Sequence, residues 1–359
     1  MQKIPSLELT KRLVRFKTTK ENPVELAKAV NYCAGYLRTP GIAIKRFSKN
    51  RKPSLLAYKG SVSKALLMLC HLDVVEAPAT DFVPCQRGNW LYGRGAADMK
   101  AGCAAAMNAF KRACAEGCEN VAIALTSDEE LGGFKGAGEL AKKISCKFVA
   151  APEPSNEGAV IEEKGVMWVE LRAEGKAAHA SRPWLGENAI DKLTRAIEQL
   201  RKALPKSDYS TKARQWVSTM NVGSISGGDA TNKVADHAMA RLDFRFANEK
   251  DRNNVIKALA NSGADYSLLE NEPIMTTNSR EPLVKLFAET AGKCLGRKIS
   301  LVKEHGASDV RFFTAKGIPG VVFGPRNRNI HGAGERVFIP DIAKIEALYC
   351  EFAKKVSAG

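Results

Sequence analysis

The residues able to do chemistry in this 359-residue sequence are histidines and carboxylates that fall at related places: His71, Asp73, Asp98, Glu129, Glu130, Glu153 and His331. A His-x-Asp at 71–73 is common by itself, and an adjacent glutamate pair usually belongs to a solvated loop. Their shared position is what matters. His71-Leu72-Asp73 follows the apolar run ALLMLC at 65–70, Asp128-Glu129-Glu130 follows VAIALT at 121–126, and Glu153 follows KFVAA at 147–151. His331 lies a short loop beyond PGVVFG at 319–324, and Asp98 stands just before an alanine-rich segment. Gathered in one crevice, these carboxylates would carry a negative charge that a protein holds only with cations present. Imidazole with carboxylate is a zinc-compatible ligand set, and one carboxylate bridging two ions is the arrangement of dinuclear hydrolases. Such metals activate a water and polarise an amide carbonyl. One carboxylate must stay off the metal to carry the water's proton to the leaving amine, and the residues alone do not distinguish Glu129 from Glu130 for that task.

The elements that must position these residues are legible as patterns. The four apolar runs are short and bounded by polar, Gly or Pro residues, which predicts buried strands. Helical stretches lie between them, at Met99–Glu116 and at Glu281–Leu295 with Leu283, Leu286 and Phe287 on one face. Alternating strands and helices predict an α/β domain, a sheet with helices on both faces, and ligands gather outside the carboxyl ends of such strands. From Val166 the pattern changes to alternation (VMWVELRA), then a helix with Ile190, Leu193, Ile197 and Leu200, two more alternating runs at Trp216–Val222 and His237–Phe246, and a helix near Asn254–Leu259. This predicts a smaller α+β domain over residues 166–277, inserted into a first domain made of 1–165 and 278–359. In His237–Phe246, Arg241, Asp243 and Arg245 share the face opposite Leu242, Phe244 and Phe246. Arg245 there suits a substrate carboxylate, whereas Arg241 is expected to pair with Asp243.

Composition narrows the class. A chain of this length accommodates about two domains of ~150 residues. Nine cysteines, an odd number without a CxxC pair, argue for reduced thiols, and Cys114 with Cys118 offers two ligands where a structural zinc site needs four. No apolar stretch reaches the length of a membrane span or a signal peptide, so a soluble cytoplasmic protein is expected. The net charge of +16 raises nucleic acid as a partner, but Lys and Arg are spread along the chain and only Arg46–Lys52 (RFSKNRK) clusters. A basic surface attracting small anions is the simpler reading.

Read in order, HLDVV at 71–75, GRGAADMKAG at 93–102, TSDEELGG at 126–133, PEPS at 152–155, AHAS at 178–181 and IHGAGE at 330–335 resemble the successive motifs of the family of succinyl-diaminopimelate desuccinylase, acetylornithine deacetylase and glutamate carboxypeptidase. The resemblance implies two zinc ions, one replaceable by cobalt or manganese. Asp98 would bridge them, His71 and Glu153 completing one site and Glu130 and His331 the other. Glu129 would be the general base, and Asp73 would hydrogen-bond His71 and fix its tautomer. The family also implies that the first domain's sheet, flanked by helices, is a mixed sheet, and that a cis peptide follows Asp98. The inserted domain resembles the family's ferredoxin-like lid and dimerisation domain, which implies a homodimer. In it, His179 would reach the partner's site to stabilise an oxyanion, and Asn232 and Arg245 would approach the substrate.

Two details bear on the member. Glu153 stands where the family's aminopeptidases tend to carry aspartate, and Ser308-Asp309-Val310-Arg311-Phe312 resembles the SDxRF segment of desuccinylases and carboxypeptidases, with Ser308 at the substrate. These favour hydrolysis of a small anionic acylated amino acid, N-succinyl-L,L-diaminopimelate first. His305-Gly306-Ala307 replaces the Gly-Gly-Thr of typical desuccinylases, and Gly-Ala-Gly-Glu follows His331. A carboxypeptidase or dipeptidase, or an aminoacylase, is therefore the alternative. His305 either contacts substrate or caps a loop.

Overall fold

The computed structural model describes residues 4–156, 158–204 and 216–358. The four apolar runs are strands, Leu66–His71, Val121–Thr126, Phe148–Ala151 and Gly320–Val322, and every residue in them is buried. They run parallel in the middle of a nine-stranded sheet, in the order Val121–Thr126, Leu66–His71, Phe148–Ala151, Gly320–Val322. The hairpin Ala43–Lys49/Lys52–Lys59 adds two antiparallel strands at one side. It turns through Asn50 and Arg51 at φ 50° and 62°, the paired positive angles of a two-residue hairpin whose twist matches its strands. Ala159–Glu163, Met275–Thr276 and Leu301–Glu304 complete the other side.

Strand alternation divides these apolar runs between two cores. Leu66, Met68, Cys70, Val121, Ile123 and Leu125 join the helices Pro5–Val14, Pro23–Leu37, Ala101–Ala115, Pro282–Leu295 and Ile339–Ala358 on one face. Leu67, Leu69, Ala122 and Ala124 join Leu140, Val310 and Phe313 on the other. Covering both faces is why the strands read as continuous apolar runs rather than alternating ones.

The helix expected from Met99 begins at Ala101. Asp98 (φ −114°, ψ 97°) and Met99 (φ −127°, ψ 32°) are non-helical, and the Asp98–Met99 peptide is cis. A small four-stranded sheet of Cys85–Arg87, Trp90–Tyr92, Arg336–Phe338 and Asn327–Arg328 was not anticipated, its strands being too short to show a period.

The chain divides into two compact units, one of Met1–Glu162, Met275–Lys303 and Ser308–Gly359, the other of Glu163–Ile274 with Glu304–Ala307. The second unit has the order strand Gly165–Glu174, helix Ala189–Ala203, strands Thr219–Gly227 and His237–Phe246, helix Glu249–Ala260, strand Asp265–Glu272. Its antiparallel sheet runs Thr219–Gly227, His237–Phe246, Gly165–Glu174, Asp265–Glu272, a ferredoxin-like arrangement. Met167, Val169, Leu171, Leu242 and Phe244 form its core with Leu193, Ile197 and Leu200. Ile190, expected on that face, is 38% exposed in the helix's first turn beside the Asn188 cap. Glu304–Ala307, outside the expected 166–277, belongs to this unit, where the His305 ring lies 5.8 Å from Trp216. Among the described residues no helix is long and apolar enough to cross a membrane.

Glycine permits two close approaches that bear on the site. A Cβ on Gly102 would lie 1.9 Å from the Pro152 carbonyl oxygen, and one on Gly324 2.4 Å from that of Glu153. The backbone of the segment carrying Glu153 therefore lies directly against Gly102 and Gly324. Gly102→Ala gains about 1 kcal/mol of helix propensity, but forces a backbone shift worth about 1–3 kcal/mol. Thermal unfolding should show a lower Tm for Gly102→Ala; an unchanged or raised Tm would mean that the helix and the Glu153 segment separate without cost.

Candidate metal centre

Each strand end delivers its residue to one edge of the sheet. His71 is the last residue of its strand and is buried, with Nε2 3.1 Å from Asp98 Oδ1. His331 Nε2 lies 3.2 Å from both Asp98 Oδ2 and Glu130 Oε1. Two donor sets result, His71–Asp98–Glu153 and Asp98–Glu130–His331, and within each set the ligand atoms lie inside 4.8 Å of one another. Asp98 belongs to both. Glu129 belongs to neither, although its Oε2 is 4.0 Å from His71 Nε2.

Asp73 does more than the sequence suggested. The His71 Nδ1 bond, 3.1 Å long, is to the main-chain carbonyl of Asp73, whose carboxylate Oδ1 is 3.6 Å away. The carboxylate turns instead to the glutamate pair and accepts from the N–H of Glu129 at 3.2 Å and of Glu130 at 3.0 Å. One residue thereby orients a histidine with its backbone and the two glutamates with its side chain.

The electrostatics describe a place short of positive charge. Burial opposes protonation of His71, but Asp73, Asp98 and Glu129 outweigh it and lift its pKa well above the ordinary value. Hydrogen bonds to Asp98 and Glu130 push His331 up to about 10. Burial raises the Glu129 carboxyl, with His71 opposing and Glu153, Asp309 and Glu130 adding to the rise. Burial likewise raises Asp128 to about 6 and Asp309 to about 7. The upward shift of both imidazoles marks how strongly these carboxylates favour positive charge among them. A divalent ion would suit either set, because each presents three carboxylate or imidazole donors within reach of one another.

The remaining expected residues are less uniform. Ser308, expected at the substrate, is fully buried, and its carbonyl accepts from the N–H of Arg311 at the start of a short helix. Within the second unit, His179 and Lys233 form an antiparallel bridge, and the N–H of Ala180 donates to the carbonyl of Asn232 at 2.9 Å, so His179 and Asn232 are neighbours. The Ser181 N–H donates to His179 Nδ1 at 3.2 Å. A backbone N–H can only donate, so the neutral ring carries its proton on Nε2.

Arg245 grips Asp243 with two bonds, Nε to Oδ1 at 2.8 Å and Nη2 to Oδ2 at 3.0 Å, whereas Arg241 donates to Glu170 at 2.9 Å. The expected Arg241–Asp243 pair is thus replaced by Arg245–Asp243. The cause is the register, which sets Arg241 directly opposite Glu170 and Asp243 opposite Trp168.

Sequence reasoning passed over Glu335 and Arg94, which adjoin Asp98 and His331, and Asp309, which accepts from Thr126 Oγ1 at 3.4 Å and adds to the rise of the Glu129 carboxyl. All three stand inside the quoted motifs. Nothing in their spacing distinguished them from loop residues.

The sequence matches the family described as Peptidase family M20/M25/M40 over residues 67–355. The chain is 29% identical over 343 residues, 88% of each chain, to a protein of Aromatoleum aromaticum named succinyl-diaminopimelate desuccinylase. It is 28% identical over 324 residues, 83% of this chain and 85% of the relative, to one of the same name from Thioalkalivibrio sulfidiphilus. Among solved structures it is similar to a tripeptidase of Staphylococcus aureus (TM-score 0.78, 23% identity, 99% of this chain and 98% of that one). It is also similar to an M20 family metallo-carboxypeptidase of Sulfolobus solfataricus (TM-score 0.77, 20% identity, 99% and 100%).

Asp73→Asn keeps the size of the side chain but turns an amide N–H toward the N–H of Glu129 or Glu130. It should lower kcat for metal-dependent amide hydrolysis by about 10–100-fold, with circular dichroism unchanged. Undiminished turnover would show that the glutamate turn holds its shape without that carboxylate.

Proposed function

Because this chain belongs to the peptidase family M20/M25/M40, we propose that it is a two-zinc amidohydrolase cleaving N-succinyl-L,L-diaminopimelate to succinate and diaminopimelate. The observation that carries this reading is the pair of donor sets meeting on Asp98, with Glu129 beside them and in neither. Bound divalent ions supply polarisation of the amide carbonyl and acidification of a water. Glu129 takes the proton of that water and returns it to the amide nitrogen as the C–N bond breaks, so the amine leaves neutral. Asp73 keeps Glu129 turned to this task. His179, with its proton on Nε2, donates a hydrogen bond to the carbonyl oxygen as that oxygen gains charge, reaching the site from the partner in a homodimer. Asn232, its neighbour, is assigned to the substrate alongside it. Arg245 already satisfies Asp243 with its fork and is read as structural.

The choice of substrate is supported by the names of the curated relatives and by a net charge of +16, which favours approach of a small anion. The nine cysteines are all free, and we assign the enzyme to the reducing cytoplasm.

Zinc-loaded protein should hydrolyse N-succinyl-L,L-diaminopimelate and lose that activity to a chelator, while N-acetylornithine and a small dipeptide panel stay untouched. Turnover of dipeptides instead would reject the succinyl substrate and move the enzyme to the peptidase branch. Glu129→Ala should lower kcat by about 10²–10⁴-fold with bound zinc unchanged; loss of zinc would make Glu129 a ligand and not the base. His179→Ala should reduce kcat by about 10²–10³-fold without altering metal content, and full activity would leave His179 a structural residue only.

A further inference from the structure

Glu335 belongs to neither donor set, and it is buried at 3% exposure. Its Oε1 accepts from the backbone N–H of Ala97 at 2.9 Å and of Asp98 at 3.0 Å. Its Oε2 accepts from the N–H of Gly95 at 2.9 Å and from Arg94 Nη1 at 2.6 Å. Arg94, also buried, uses Nη2 to donate to the carbonyls of His331 and Gly332, both at 3.3 Å. The register of the small sheet makes this possible. Tyr92 pairs with Arg336, and the next residue inward on each side brings the Gly93 N–H onto the Glu335 carbonyl at 3.1 Å.

The turn carrying Asp98 and the turn carrying His331 are thereby tied to one carboxylate–guanidinium pair. His331 has φ 61°, a backbone region that side chains other than glycine seldom adopt, so its surroundings must hold it there. Glu335 and Arg94 cancel each other's charge and leave the charge of the donor sets unaltered. The geometry points to Glu335 and Arg94 as positioning residues that set the Asp98–His331 spacing for a bound metal. This inference rests on the metal-binding reading above and extends it to residues that touch no metal.

Two substitutions act differently on the pair. In Glu335→Gln an amide N–H₂ faces two N–H donors, so the turn that holds Asp98, shared by both donor sets, loses half its bonds. In Arg94→Lys a single ammonium replaces the planar fork and cannot span Glu335 and the His331 turn together. Asp341→Asn is the control. Asp341 is likewise a buried carboxylate, accepting from Arg326 Nε at 2.7 Å, Nη2 at 3.0 Å and the Arg326 N–H at 3.2 Å.

Metal-free full-length protein and each variant would be titrated with Zn²⁺ by calorimetry and with Co²⁺ by visible absorption, with circular dichroism to follow folding. Wild type should bind two equivalents. Glu335→Gln should weaken both by about 10–100-fold, and Arg94→Lys should weaken one by the same factor, each with a changed cobalt spectrum. Asp341→Asn should lower Tm while leaving both affinities and the spectrum as in wild type. Wild-type affinity and spectrum in folded Glu335→Gln and Arg94→Lys would overturn the positioning role while leaving the metal centre standing, as would an equal loss in Asp341→Asn. A wild type that binds no metal would overturn both readings. Should Glu335→Gln fail to fold, Arg94→Lys decides.

Discussion

Both oxygens of Asp98 face an imidazole, His71 on one side and His331 on the other, and carboxylates from three further segments crowd the same edge of the sheet. Like charges at this spacing repel strongly in a medium poorer in water than bulk solvent. The repulsion is relieved by positive charge placed among them, or by protons taken up on carboxyls such as Glu129, which burial favours. Everything around the centre serves to keep these groups together against that repulsion. Buried strands fix three of the chain's approaches, and backbone N–H groups bound to Asp73 and Glu335 fix the turns between them.

The parallel strands make the convergence geometric. Because Leu66–His71, Val121–Thr126, Phe148–Ala151 and Gly320–Val322 point the same way, whatever follows each of them emerges at one edge. The glycine contacts at Gly102 and Gly324 then limit how far Glu153 can stray. Rigid elements place the ligands, and short turns with satisfied donors set their final angles.

How much was legible beforehand follows from what each feature looks like in sequence. The buried strands showed as uninterrupted apolar runs, because both faces are covered, and the ligands showed by their position just beyond those runs. Three of the second unit's four strands showed as alternation and its helices by their apolar faces, whereas the strand Asp265–Glu272 was not anticipated. The small sheet left no such trace, since strands of two or three residues carry no period, and Glu335 therefore read as the end of a motif rather than as a structural anchor. Arg241 and Arg245 were placed on the correct face by alternation, but alternation says nothing of register. Only the pairing of Arg241 opposite Glu170 determined which arginine held Asp243. The burial of Ser308 was likewise hidden, because a polar residue in a familiar motif gives no sign of it.

The strand Gly320–Val322 lies inside the sheet, between Phe148–Ala151 and Ala159–Glu163, yet it is made after the entire second unit. On a ribosome, which adds about 5–20 residues each second, the growing chain carries the Phe148–Ala151 edge, wholly apolar, without its neighbour for all of that interval. The ferredoxin-like unit has its own core and can fold during the wait. The larger unit cannot close its sheet, and it lacks His331 and Glu335 until later still. An exposed apolar edge of this kind invites pairing with other chains. During synthesis, then, the strand Phe148–Ala151 stays without its later neighbour until the second unit has been made.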